Sequence, residues 1–245
     1  MWELELAHLG YGPPRQAAGE NWIGYEQTGW DGFAFAVALV WQQNGEKWQA
    51  AWSVQTSTDC NDPLSAAREQ CERALAEGFD ALRSEHQRWW GAFWDKSAVR
   101  VPNAIIERQW YLETYKFGAA ARPDTPPITL QGPWTADTGS IPPWKGDYHH
   151  DLNTELSYWP CYAGNHPDGG AGFLAWLWRI RPGAEAWTRR FFGLPGLNVP
   201  MTSDLNGAQI GGWHQYTHSA TTAAWLAHHF YLHWRYSMDR DFLSE

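Results

Sequence analysis

Residues 33–41 carry no polar break. Phe33, Phe35, Val37, Leu39 and Trp41 stand at period two, with Ala34, Ala36, Ala38 and Val40 between them. A strand apolar on both sides is one buried on both faces, or nearly so. Residues 42–47 read as a turn, and Asn44-Gly45 is the signal of a type I′ hairpin. Trp48 to Thr56 returns as a second strand, with Trp48, Ala50, Trp52 and Val54 on one face. Two strands are marginal by themselves, so this aromatic face is expected to need a partner sheet. Residues 1–32, rich in glycine and turn formers, are expected to supply a strand or two.

The pattern changes at 57–63. Asp62 before Pro63 marks a helix start: a capping carboxylate, then a residue whose fixed φ and missing N–H suit the first turn. From Leu64 to Lys96 there is no proline. Ala67, Cys71, Leu75, Phe79, Leu82, His86, Trp89 and Phe93 recur at three and four. One long helix is predicted, or two joined near Gly78, with a polar face in water. Beyond the extended link Val99–Pro102, helices are predicted at 105–121, 151–163, 170–181, 184–192 and 221–235. Loops are predicted at 122–150 and 193–219. No repeat of fixed length is present, but the alternation of helix and loop suggests stacked helical pairs. The first of these loops holds six prolines and two tryptophans. Connections longer than about 15 residues are uncommon and tend to be functional.

Composition narrows the function classes. Of 245 residues 19 are Trp and 16% are aromatic, which excludes a disordered chain. Asp and Glu number 27 against 18 Lys and Arg, a net charge of −9 without a basic stripe, so no nucleic-acid partner is expected. The longest apolar run, about nine residues, is too short to span a bilayer, so no membrane partner is expected. No basic and apolar leader opens the chain. Cys60, Cys71 and Cys161 form no CxxC and imply neither a disulfide framework nor a cysteine metal site.

Three blocks carry the candidate chemistry. Gln131 and Trp134 stand in Leu130–Trp134, followed by Pro142-Pro143-Trp144. This block is either a rigid proline–aromatic corner or a platform for a sugar, whose apolar ring face stacks on Trp while its hydroxyls need polar side chains. The second block runs from His149 to Pro160 and places His149, His150, Asp151, Asn153 and Glu155 within seven residues. Asp151 could cap a helix through Asn153 or Thr154. The opposing reading is that so many polar groups beside aromatics need a wet or ligand-filled site. Asp151 and Glu155, four apart, are expected on one helical face. Inverting glycoside hydrolysis wants its two carboxyl groups roughly 6.5–9.5 Å apart, so this pair is not the whole couple. The third block brings Trp213, His214 and His218, either in a packed surface loop or at the rim of the same pocket.

Other chemistries find less support. His149 and His150 point in different directions, no HExxH is present, and His229 with His233 on one face are only two ligands. There is no GxSxG elbow, and the glycine pairs make no phosphate loop. No metal and no cofactor is expected.

The blocks together resemble the catalytic region of glycoside hydrolase family 95, the inverting α-L-fucosidases. The matching stretches are Leu130 to Trp134, Pro142 to Trp144 and Asp151 to Pro160. The loop Gly196 to Pro200 and the aromatic helix ending in Asp239 to Leu243 match as well. The resemblance covers about residues 60–245. It implies a mainly α fold: a partial (α/α)6 toroid preceded by a β hairpin or sandwich remnant and a linker helix. The corresponding domains are 1–58, 59–102 and 103–245.

It further implies an exo-acting glycosidase on terminal α-L-fucosyl or α-L-galactosyl residues of an oligosaccharide or glycoconjugate. Asp151 and Asn153 fall on two family asparagines that hold the attacking water, and the first is a departure from them. Gln131, Trp134, Trp144, His149, Glu155, Trp213 and His214 are the expected sugar-binding residues. The family's general acid would fall beyond residue 245, so this chain alone is expected to be inactive and to be a fragment. Its exposed aromatic face is expected to favour self-association. A non-catalytic carbohydrate-binding or structural helical module is the alternative.

Overall fold

The computed structural model describes residue 7 and residues 9–132, 144, 146–210 and 214–245. These divide into two compact units, one up to Gly91 and one from Ala92. The architecture is mainly helical with an N-terminal sheet.

In the first unit, β1 (Arg15–Gly19), β2 (Trp22–Thr28), β3 (Ala34–Asn44) and β4 (Lys47–Thr56) form an antiparallel sheet in that order. Residues before 33 thus supply two strands. The β3–β4 turn differs from the type I′ expectation. Asn44 pairs with Lys47, and Gly45 takes the positive φ of 63°. The turn is therefore centred on Gly45-Glu46 with only its first position left-handed, the pattern of type II′.

The two faces of β3 differ as well. Ala36, Ala38 and Val40 are buried, and Ala38 and Val40 cluster with Ala67 and Cys71 of α1 (Pro63–Glu77). Small side chains at every second position let the helix approach. The opposite face carries the bulky set, where Leu39 pairs with Trp52 and Trp52 is 72% exposed. Burial of β3 is one-sided because only the alanine face meets a helix within the unit.

Asp62 caps α1, its carboxylate accepting the Ser65 N–H at 3.1 Å. Gly78, at φ 90°, separates α1 from α2 (Phe79–Trp94). An L side chain rarely takes that conformation, so the two-helix form of the predicted pattern is the one adopted.

The second unit contains α3 (Ala104–Ala120), β5 (Tyr148–His149), α4 (Leu152–Ala163), α5 (Pro167–Phe192), β6 (Thr202–Ser203), α6 (His214–Thr217), α7 (Thr222–Ser237) and α8 (Arg240–Ser244). Residues 170–181 and 184–192, predicted as separate helices, belong to the single helix α5, with Pro182 inside it. An interior proline costs roughly 3 kcal/mol. The buried stripe Phe173, Trp176, Leu177, Ile180, Ala184 and Trp187 runs past it on both sides and offsets that cost.

The core joins this stripe to Tyr158 of α4 and Leu226 of α7, with Tyr158 and Phe173 stacked at 4.3 Å. Gly172 lets residues 122–123 cross α5. A Cβ there would meet the Arg122 carbonyl oxygen at 2.2 Å. Among the described residues no helix is long and apolar enough to cross a membrane.

Candidate active site

The chain enters α4 in extended form, so side chains at 147–150 alternate between two sides. Tyr148 and His150 turn inward. Their rings are parallel within 3°, and both lie against Trp176 of α5, at 4.7 and 5.4 Å. Pairing of β5 with β6 (Tyr148 with Ser203, His149 with Thr202) fixes this register.

His150 is fully buried, its Nε2 2.7 Å from Ser203 Oγ. The Ser203 hydroxyl donates to the Asp204 carbonyl, so it accepts the His150 Nε2–H. Burial, with His149 adding repulsion, pushes the His150 pKa down from 6.5 to about 3. The unfolded chain therefore takes up a proton near pH 6.5 that the folded chain refuses. Stability is full above that pH and falls as the pH drops from 6.5 toward 3. Between pH 6.5 and 5 the loss is about 2 kcal/mol. Urea midpoints measured from pH 7 to 5 should show it, and His150→Phe should flatten it.

Asp147 and His149 turn the other way. His149 Nε2 lies 2.9 Å from Asp147 Oδ2. The Trp144 ring meets His149 edge-on at 5.5 Å. The Trp144 N–H donates to Gln131 Oε1 at 3.2 Å, and the Asp147 N–H donates to the Trp144 carbonyl at 3.2 Å. The Asp147 carbonyl accepts the Leu130 N–H at 3.1 Å, and the Thr154 hydroxyl donates to the His149 carbonyl. Three expected residues, Gln131, Trp144 and His149, are thereby brought into one cluster.

Asp151 is the N-cap of α4, yet its carboxylate makes no capping bond. Its Oδ1 is buried without a hydrogen-bond partner among the described residues. The simple capping reading of Asp151 therefore fails. Asn153 is exposed in the first turn. It shares with Gln131 a cleft of about 1390 Å³, walled also by Trp110 and Tyr115 of α3.

Glu155 departs from the expectation of a ligand contact. It is 0% exposed, and its Oε2 lies 2.5 Å from Nε2 of the equally buried His229 on α7. Tyr162 OH lies 3.1 Å from His229 Nδ1 and 3.1 Å from the His229 carbonyl. Asp151 is not helical, at φ −115° and ψ −140°, so it does not share a helical face with Glu155. Glu155 faces the interior, and its partner belongs to the protein.

His214 is exposed on α6 and stacks on His218, which packs against Trp187, Phe191 and Phe192. Among the described residues it packs with that group and not with the Gln131–His149 cluster. Trp134 and Trp213 lie outside the described residues. Among the described residues no group of three His, Cys, Asp or Glu side chains could hold a metal ion.

Asp147 is the residue that sequence reasoning passed over. Its signal was the spacing Asp-x-His in an extended stretch, which puts both side chains on one side.

Comparison with known proteins adds lineage to this geometry. The protein named Probable alpha-fucosidase A of Aspergillus niger is 25% identical over 224 residues, 75% of this chain and 26% of that one. Alpha-L-fucosidase 2 of Arabidopsis thaliana is 24% identical over 144 residues, 58% of this chain and 17% of that one. The chain thus spans about a quarter or less of the length of these curated relatives. Residues 102–245, which include every candidate residue above, match the Glycosyl hydrolase family 95 catalytic domain. The chain belongs to glycosyl hydrolase family 95.

Proposed function

We propose that this chain carries the sugar- and water-holding part of an inverting glycoside hydrolase acting on terminal α-L-fucosyl or α-L-galactosyl residues. In this reading α3, α4, α5 and α7 belong to an (α/α)6 toroid. Trp144, 43% exposed, offers its indole ring to the apolar face of a sugar. His149 and Gln131 offer polar groups to its hydroxyls. Asp151 and Asn153, at the start of α4, hold the attacking water.

The observation that carries the reading is a convergence. Gln131 lines one cleft with Asn153 and also holds the Trp144 turn that packs on His149. The names of the two fucosidase relatives support the choice of sugar.

An inverting reaction needs a carboxylic acid to protonate the leaving oxygen and a carboxylate across the sugar from it. Glu155 is enclosed by His229 and cannot serve. The cluster described above contains no residue that the family resemblance gives as the acid. The expected result is binding without turnover. L-Fucose titrated into the chain should change its tryptophan fluorescence saturably. Asn153→Ala and Gln131→Ala should each weaken binding about tenfold, the scale of one well-placed hydrogen bond lost. Hydrolysis of an aryl α-L-fucoside by the purified chain should stay at background. Robust turnover would refute the missing-acid argument. Saturable binding indifferent to Asp151→Asn and Asn153→Ala would favour a non-catalytic carbohydrate-binding module.

A further inference from the structure

Asp147 is placed at a cost. Its side chain is 16% exposed, and Oδ1 is buried with no hydrogen-bond partner among the described residues. An unpaired buried carboxylate oxygen is unfavourable, and an apolar or neutral side chain would avoid that. Its backbone already makes the bonds that knit the site, the N–H to Trp144 and the carbonyl to Leu130, and any residue could make those. Among the described residues, what the carboxylate adds is its contact from Oδ2 to His149 Nε2 at 2.9 Å.

That contact has a chemical consequence. A carboxylate only accepts, so the imidazole must donate its Nε2–H there. Nδ1 becomes the ring position left for a ligand, and the ring is held edge-on to Trp144. The backbone of His149 is fixed separately, by pairing with Thr202 and by the Thr154 hydroxyl. Among the described residues, Asp147 makes the hydrogen bond that sets the side chain.

We infer that Asp147 is a positioning residue, retained to orient the His149 imidazole toward a sugar hydroxyl and not to stabilise the fold. The sugar in this statement rests on the function proposed above. In metal sites, carboxylates that orient histidine ligands act on affinity or activity by 10–100-fold, roughly.

The test separates orientation from stability and from the sugar itself. Three quantities are measured on the full chain and on Asp147→Asn and Asp147→Ala: the urea midpoint, the protected ring N–H proton of His149 by NMR, and L-fucose affinity by fluorescence. Asp147→Ala should lose the protected ring proton and bind L-fucose at least about tenfold more weakly, with the urea midpoint unchanged or raised. Asp147→Asn keeps an acceptor oxygen, so it should retain the ring proton and most of the affinity. A lowered midpoint in both variants with proportionate loss of binding would overturn the inference in favour of a structural role. A ring proton that survives in Asp147→Ala would overturn it directly. Failure of the unaltered chain to bind L-fucose or L-galactose would overturn the sugar reading, and the ring proton alone would then decide whether Asp147 sets His149.

Discussion

Replacing Glu155 by alanine is expected to destabilise the fold by about 3–5 kcal/mol. Glu155 and His229 are both 0% exposed, so neither has water to fall back on. The bond between them, 2.5 Å from Oε2 to Nε2, joins α4 to α7. Tyr162 closes the far side of the imidazole at Nδ1. Rings pack around it, Phe173 edge-on at 5.2 Å and Trp159 at 6.4 Å. Removing the carboxylate strands a polar ring nitrogen among these aromatics and leaves a void besides.

Glu155→Gln should cost less, about 1–3 kcal/mol, because the amide oxygen can still accept the Nε2–H. Replacing both partners with leucine should recover much of the loss, since a buried polar pair is often no more stabilising than a well-packed apolar one. Urea denaturation at constant m-value gives all three numbers. A loss below 1 kcal/mol for Glu155→Ala would mean that the pair is solvated. Because Asp151 and Asn153 sit in the turn before Glu155, the same variants should weaken sugar binding in step with stability. Asp147 is expected to show the opposite pattern.

These two carboxylates also show where sequence reasoning reaches and where it stops. Local signals survived folding well. The spacing from Ala67 to Phe93 became α1 and α2, Gly78 broke them, and Asp62 capped the first. The cluster of Gln131, Trp144 and His149 was legible because each lies in a short motif. Residues 170–192, predicted as two helices, form one because the long buried stripe outweighs the local penalty of about 3 kcal/mol at Pro182. Glu155 misled for a different reason. Its partner lies 74 positions away, and no local period encodes such a contact. Helical spacing was extended one residue too far, to an N-cap whose backbone is not helical. Asp147 was missed because an extended segment of a few residues was read as loop, so its period of two went unused.

Trp176→Ala is expected to be about as costly as the loss of Glu155, about 3–5 kcal/mol, and to reach the site by another route. Trp176 is 1% exposed at the centre of the α5 stripe, where it touches Phe173, Tyr148 and His150. Its indole N–H donates to the Leu205 carbonyl at 2.6 Å, and Leu205 lies just past β6. The one side chain therefore supports both strands of the β5–β6 pair, Tyr148 and His150 from below and the β6 segment through the indole. Removing it opens a cavity under the two inward rings and frees the backbone that presents His149 on the other side. Cavities of this kind relax only partly, which is why the cost exceeds simple transfer.

Trp176→Phe should keep the ring contacts and lose the N–H bond, at about 1–2 kcal/mol. Chemical denaturation separates the two variants. NMR of the His149 ring proton should show exchange broadening in the alanine variant while Asp147 is still present to hold it. If Trp176→Ala lost stability but left that proton sharp, the strand pair would be held by Ser203 and Thr202 alone. The floor of the site would then be independent of the helical core.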